Sequence, residues 1–220
     1  MIYLDNAATS FPKPVSVYRA VELTQRFIGA NPGRSGHRLS LSAARILLDT
    51  REALAALLHI SDPESLIFGS NCTDMLNLAI HGVCREGMNV LTSVYAHNSV
   101  LRPLYRLERE ENVSLSFVPA DKRGSIDYAD FERLLQPETR AVVCTHASNL
   151  TGNVLDLVRI GQFAHAHGLL FIVDASQSAG VLPIDMEKMH IDVLCFTGHK
   201  SLMGPQGTGG LCVREGVDIA

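Results

Sequence analysis

Short apolar runs that stop abruptly at polar residues recur along the C-terminal two thirds of this chain. Leu169–Val173 is followed at once by Asp174, and the run from Val193 to Phe196 by Thr197. Amphipathic stretches separate such runs. Continuously apolar strands joined by helices are typical of a mainly parallel sheet that is covered on both faces. The pattern therefore predicts a three-layer α/β fold with helices on both faces of the sheet.

The same periodicities predict where each element lies. The predicted strands are Leu66–Phe68, Asn89–Val94, Ser114–Val118, Ala141–Thr145, Leu169–Val173, a strand that starts at Val193, and Gly210–Arg214. The predicted helices are Val15–Ile28, Leu39–His59, Cys72–Val83, His97–Glu110, Tyr128–Leu135 and Leu155–His167. We expect residues 1–14 to form a polar N-terminal arm and residues 15–220 to form one large domain, incomplete at its C-terminal end.

Composition excludes several classes of partner. The chain has 220 residues, which is enough to bury roughly 70% of the unfolded surface. The net charge is −4 and basic residues are scattered singly, so neither nucleic acid nor an anionic membrane is expected. The N-terminus shows neither a basic start nor a long apolar stretch, and the five cysteines form no C-x-x-C pair. We expect a cytoplasmic protein with free thiols.

Polar residues follow the apolar strands, where parallel sheets collect their ligands. Asp174 ends one strand and Lys200 follows another, with Asn149 and the turn Asn71–Thr73 expected at the same edge. A lysine that forms an imine with an aldehyde, and an acid that pairs with a pyridine nitrogen, suit pyridoxal 5′-phosphate (PLP). From the residues alone, Asn149 fits a turn equally well, and Asn71 or Thr73 fits a helix N-cap.

Six segments together resemble the class V aminotransferases, and among them the cysteine desulfurases. The similarity extends from Ile2 to Val213, and no single motif carries it. The segments are Tyr3–Ala8, Gly69–Thr73, Ala96–Asn98, Ser148–Gly152, Asp174–Gln177 and Thr197–Lys200 followed by Gly204-Pro205. The resemblance implies the large domain of a PLP enzyme of fold type I, without the C-terminal small domain.

The resemblance also implies roles for individual residues. Lys200 would bind PLP and move the substrate's α-proton, and His97 would stack on the ring and shuttle protons. Asp174 would hold the ring nitrogen protonated, and Gln177 and Asn149 would lie near the phenolic oxygen. Residues implied to contact the phosphate are Cys72, Thr73, Thr197 and His199, and those implied on the substrate side are Asn6, Ala7, Ala8 and His37. Cys72 departs from the small or hydroxyl residue of many relatives, so only its amide is expected to bind phosphate.

Two functional residues of the cysteine desulfurases have no counterpart in this chain. The nucleophilic cysteine that receives sulfur, and the arginine that clamps the substrate carboxylate, lie well beyond the PLP lysine in that family. Cys195 lies inside a predicted strand and is expected in the core. We therefore expect an N-terminal fragment that forms the PLP cradle without completing desulfuration. The resemblance further implies a homodimer, a cysteine substrate and a possible sulfur-acceptor protein.

Other functions remain open from the sequence. A selenocysteine lyase, or another class V transaminase or lyase, would use the same cofactor residues, since PLP supplies the electron sink for all of them. A non-catalytic relative is a further alternative, against which the joint presence of Lys200, Asp174, Gln177 and His97 argues. No G-x-G-x-x-G follows a strand, which excludes a Rossmann-type nucleotide binder. His165 and His167 point apart on a helix, so no metal site is expected.

Overall fold

One mixed sheet and six α-helices make up residues 2–219, the part of the chain that the computed structural model describes. The strands are β1 (Leu66–Gly69), β2 (Asn89–Ser93), β3 (Ser114–Val118), β4 (Thr139–Thr145), β5 (Leu170–Asp174), β6 (Val193–Thr197) and β7 (Gly209–Val213). The helices are α1 (Val15–Phe27), α2 (Arg38–Leu58), α3 (Cys72–Val83), α4 (Asn98–Glu110), α5 (Ala129–Arg133) and α6 (Leu157–Ala166), with a 3-10 turn at Pro63–Ser65.

The sheet has the strand order β1-β7-β6-β5-β4-β2-β3. All neighbours are parallel except β7, which runs antiparallel to both β1 and β6. Thr145 at the end of β4 lies opposite Asp174, and Asp174 at the end of β5 lies opposite Cys195 in β6. The carboxyl ends of three adjacent parallel strands therefore meet at one edge of the sheet.

Side chains that alternate along the central strands fill two separate cores. On one face Val142, Phe171 and Leu194 pack in a cluster with residues of α2, α5 and α6. On the other face Val143 and Ile172 pack with the buried sides of α3 and α4. Because successive strand residues point to opposite faces, a strand between two helical layers must be apolar throughout. This confirms the predicted three-layer architecture.

Most predicted elements are confirmed to within one or two residues. The helix predicted at Cys72–Val83 and the strand predicted at Ser114–Val118 have the predicted bounds. The helix predicted at Tyr128–Leu135 is shorter, Ala129–Arg133, and the strand at β4 begins two residues earlier than predicted. No helix among residues 2–219 is long and apolar enough to cross a membrane. Residues 2–14 contain no helix or strand, and their division from the rest as an arm stays a prediction.

Gly161 in α6 packs closely against the backbone of the loop that contains Met189. A Cβ atom there would overlap the carbonyl oxygen of Met189. Alanine at a helical glycine normally stabilises by about 1 kcal/mol. At Gly161 the backbone around the Met189 carbonyl must shift to make room for the added methyl group. We therefore expect Gly161→Ala to lower the free energy of unfolding by roughly 1–3 kcal/mol. Urea denaturation measures this change.

Gly82 in α3 supplies the matched control for this substitution. A Cβ atom at Gly82 overlaps a side-chain methyl of Ile219, and the first backbone atom that it meets, the Ile219 Cα, lies 3.5 Å away. Since a side chain must shift there rather than a backbone carbonyl, we expect Gly82→Ala to cost less stability than Gly161→Ala. A Gly161→Ala variant that is as stable as the wild-type chain would contradict this account of the packing of α6.

Candidate active site

A polar pocket lies at the carboxyl edge of the sheet. It contains every residue predicted to bind the cofactor, although the residues come from all parts of the chain beyond α2. Ser99, Thr145 and Ser176 also line it, and Asn71, predicted only as a turn or cap residue, lies there too. The lining residues are Asn71, Cys72, Thr73, His97, Ser99, Thr145, Asn149, Asp174, Ser176, Gln177, Thr197, His199 and Lys200.

Asp174 is the buried acid of the pocket, with 2% of its surface exposed. Its Oδ1 accepts hydrogen bonds from the Ser176 amide at 3.0 Å and from the Ser176 hydroxyl at 2.6 Å. The Cys72 thiol donates to the same oxygen at 3.6 Å, and the Thr145 hydroxyl donates to Oδ2 at 3.3 Å. Hydrogen bonds of this kind satisfy a buried carboxylate that would otherwise be costly to desolvate.

Lys200 is half-buried and follows β6 by three residues. Burial lowers the pKa of its ammonium below the ordinary value, because desolvation disfavours the charged form. The charge of Asp174 acts in the opposite direction and only partly offsets this effect on the pKa. The neutral, nucleophilic amine is therefore more available at Lys200 than at an exposed lysine.

The start of α3 presents unpaired backbone donors to the pocket. The side chain of Asn71 caps the helix by accepting from the Asp74 amide at 2.8 Å. The amides of Cys72 and Thr73 have no acceptor among residues 2–219. The capping interpretation of Asn71 is thus confirmed, and it leaves free the two N–H groups that an anion at a helix N-terminus would use.

The His97 side chain is hydrogen-bonded to Ser99 in α4, and the Ser99 hydroxyl in turn reaches Thr73 in α3. Its Nδ1 accepts from the Ser99 amide at 3.1 Å and so caps α4. Because that amide can only donate, Nδ1 carries no proton and the neutral ring is protonated at Nε2. The Ser99 hydroxyl lies 2.9 Å from Nδ1 and 2.9 Å from the Thr73 hydroxyl. An exposed imidazole with a fixed tautomer results.

The N-terminal arm binds the peptide group just before Lys200. The His199 carbonyl oxygen accepts from the Thr9 hydroxyl at 3.0 Å, from the amide and hydroxyl of Ser10 at 3.2 and 3.1 Å, and from Lys13 Nζ at 2.9 Å. Thr9 uses its only proton on that carbonyl, so His199 Nδ1, 3.0 Å from the same hydroxyl, is the donor to it. Burial, with the charges of Lys200 and Lys13, lowers the pKa of His199. The arm thereby fixes the backbone that carries Lys200.

The residues predicted on the substrate side lie outside the pocket lining. Asn6 Oδ1 accepts from the Phe11 amide, and the Ala7 carbonyl accepts from Gln177 Nε2 at 2.9 Å. His37 is the N-cap of α2, where its Nδ1 accepts from Ser40. Ala8 is exposed on the same arm. Their roles toward substrate stay predictions.

Three pocket residues were missed by sequence reasoning, and two of them had a detectable signal. Thr145 ends a predicted strand, and Ser176 lies between Asp174 and Gln177, both of which are predicted to bind the cofactor. Ser99 gave no such signal, because its place depends on the packing of α3 against α4.

The donors and acceptors of this pocket fit PLP. A buried carboxylate suits a protonated ring nitrogen, and an amine of lowered pKa suits an aldehyde. The free amides of Cys72 and Thr73 suit a phosphate. Among residues 2–219, no group of three or more His, Cys, Asp or Glu side chains is placed to hold a metal ion.

Comparisons with known proteins identify the family and the fold of this chain. The profile of the family Aminotransferase class-V matches residues 2–218. A probable cysteine desulfurase of Methanothermobacter thermautotrophicus is 37% identical over 209 residues, which cover 94% of this chain and 52% of that protein. The apo structure of a cysteine desulfurase from Thermococcus onnurineus superimposes with a TM-score of 0.92 at 34% identity, over 97% of this chain and 54% of that one.

A further solved structure, SspA in complex with cysteine, has a TM-score of 0.89 at 30% identity, over 98% of this chain and 62% of that one. The chain spans about half the length of the curated relatives that it matches. Members of the matched family are PLP-dependent enzymes. With the family profile matching almost every residue, the chain belongs to the class-V aminotransferases.

Proposed function

We propose that this chain forms the PLP-binding part of a cysteine desulfurase-like enzyme, which converts L-cysteine to alanine and transfers the sulfur to an enzyme thiol as a persulfide. The observation that carries the proposal is the pairing of a half-buried Lys200 of lowered pKa with the buried carboxylate of Asp174 in one pocket. Similarity to cysteine desulfurases over more than nine tenths of the chain supports it.

The pocket residues divide the work of holding the cofactor. Lys200 Nζ would bind the aldehyde carbon, Asp174 would keep a proton on the ring nitrogen, and the amides of Cys72 and Thr73 would bind the phosphate. When bound, PLP supplies a conjugated ring that accepts the electron pair left at the substrate's α-carbon. Once the substrate's amine has replaced Lys200 at the aldehyde carbon, the released Lys200 amine would move the α-proton, for which its lowered pKa suits it.

Other pocket residues hold ring substituents and protons. His97, whose neutral ring carries its proton on Nε2, would stack on the ring and relay protons. Gln177 and Asn149 would hold the phenolic oxygen, for which Gln177 would give up its bond to the Ala7 carbonyl. Thr197 and His199 would complete the phosphate contacts. Asn6, Ala7, Ala8 and His37 border the substrate.

Cysteine is the substrate we propose, since the solved relative SspA binds cysteine. We further propose a cytoplasmic homodimer that passes its sulfur to an acceptor protein. Helix α1 has no buried residue and exposes Val15, Leu23 and Phe27, which supports an interface that covers this face. Size-exclusion chromatography with light scattering tests the dimer, and a monomer at micromolar concentration would contradict it.

Lys200 is expected to be the residue that binds PLP covalently. After incubation with PLP and borohydride reduction, we expect one phosphopyridoxyl group on the peptide that contains Lys200, detected by mass spectrometry. Lys200→Ala should abolish this adduct together with the visible absorbance band of bound PLP. Lys122→Ala, which removes an exposed lysine, is the matched control and should leave both unchanged. Labelling spread over surface lysines would contradict the proposal.

None of the thiols in this chain is suited to receive sulfur. All five cysteines are buried, and burial raises the pKa of each thiol, to about 12 for Cys84 and Cys144. A persulfide-forming cysteine must be an accessible thiolate. We therefore expect the PLP-loaded chain to give no alanine or sulfide from cysteine above the Lys200→Ala background, at neutral pH with a thiol reductant. Equal yields of alanine and sulfide above that background would refute this expectation.

A further inference from the structure

The two oxygens of the Asp174 carboxylate have unequal surroundings. Oδ1 receives three donors: the amide and hydroxyl of Ser176 and the thiol of Cys72. Oδ2 receives one, the Thr145 hydroxyl at 3.3 Å. A carboxylate oxygen has about two lone-pair sites, so Oδ1 is saturated while Oδ2 keeps capacity for another donor.

Ser176 holds Oδ1 with a strong and rigid pair of bonds. Its hydroxyl lies 2.6 Å from Oδ1, in the range of a charge-assisted O–H···O⁻ bond, and its amide lies 3.0 Å from the same atom. Two donors from one residue restrict rotation of the carboxylate about its Cβ–Cγ bond. The orientation of Asp174 is therefore fixed by the turn that follows β5.

Cys72 acts on the same oxygen as a donor. Its thiol is buried against Asp174, and both desolvation and that neighbouring charge raise its pKa. The sulfur therefore keeps its proton, and the S–H group points its hydrogen at Oδ1. This explains how the chain tolerates cysteine at the first position of α3: the side chain faces the acid, and only the amide is left for an anion.

We propose that Ser176, assisted by Cys72, is a positioning residue that locks Oδ1 of Asp174, so that Oδ2 is the oxygen that meets the ring nitrogen of PLP. The inference rests on the proposed function, because it needs PLP in this pocket. Neither side chain touches the reacting atoms, and both side chains act through Asp174, whereas the backbone amide of Cys72 is the group proposed to bind the phosphate. A purely structural role for Ser176, as the end of a tight turn, would affect stability without any dependence on Asp174.

The test is a double-mutant cycle read by PLP affinity and by the absorbance maximum of bound PLP. We expect Ser176→Ala to weaken PLP binding about tenfold and to shift the band, because a hydrogen bond to a charged group is lost. Ser176→Thr keeps the hydroxyl and should stay within about twofold of the wild-type affinity. In the Asp174→Ala background, Ser176→Ala should have no further effect, since residues that act through a shared partner are not additive.

Two buried cysteines give a matched comparison for the thiol. Cys72→Ala should weaken PLP binding roughly threefold, as expected for a weak donor. Cys84→Ala removes a thiol of similar burial with no contact to Asp174, and it should leave PLP affinity unchanged. Urea midpoints of all variants separate a loss of folding from a loss of affinity, and Ser176→Gly repeats the deletion if Ser176→Ala does not fold.

Different outcomes overturn different claims. Unchanged PLP affinity and spectrum in Ser176→Ala, or an equal loss in the Asp174→Ala background, overturns the positioning role and leaves the proposed function standing. Failure of the wild-type chain to form an adduct at Lys200 overturns the proposed function, and the inference with it. Three results together establish the positioning role of Ser176. PLP affinity falls in Ser176→Ala, it is retained in Ser176→Thr, and Ser176→Ala has no further effect on it in the Asp174→Ala background.

Discussion

The alignment of β4, β5 and β6 in parallel is the constraint on which the rest of this structure depends. Parallel strands end at the same edge, so Thr145 and Asp174 lie opposite each other and β6 delivers Lys200 beside them. A carboxylate can be buried there because the polar groups of neighbouring strand ends and turns satisfy it. The same residues placed on antiparallel strands would end at opposite edges of the sheet.

The helices α3 and α4 and the N-terminal arm supply the parts of the site that the strand ends do not provide. The helix α3 brings free amides to the pocket, and α4 brings His97 with its proton fixed at Nε2. Residues 2–14 of the arm do not line the pocket, yet their donors hold the His199 carbonyl next to Lys200. The rigidity of the lysine's backbone thus depends on residues almost two hundred positions earlier in the chain. This arrangement makes the arm part of the site's framework rather than a flexible end.

The thiols of this chain show how burial assigns chemistry. Cys72 and Cys84 carry the same thiol group, and at both positions desolvation raises the thiol pKa and so disfavours the thiolate. At Cys72 the protonated thiol gains a partner in Asp174, and at Cys84 it remains an apolar side chain of the core. These two cysteines are therefore unsuited to reactions that need a thiolate, whereas the lowered pKa of Lys200 favours imine formation by its amine.

The sequence by itself determined the layers and predicted which polar residues meet at one edge of the sheet. Continuous apolar runs such as the one that ends at Val173 in β5 favour a sheet covered on both faces, and polar residues at the ends of parallel strands then converge at one edge. Only the tertiary structure decided the contacts between segments that are distant in sequence. These are the antiparallel pairing of β7 with its neighbours, the hydrogen bonds of the arm to the His199 carbonyl, the contact of Ser99 with Thr73, and the unequal surroundings of the two Asp174 oxygens. Periodicity reports which face of an element is buried, but hydrogen-bond partners depend on packing, which brings together residues that no local pattern connects.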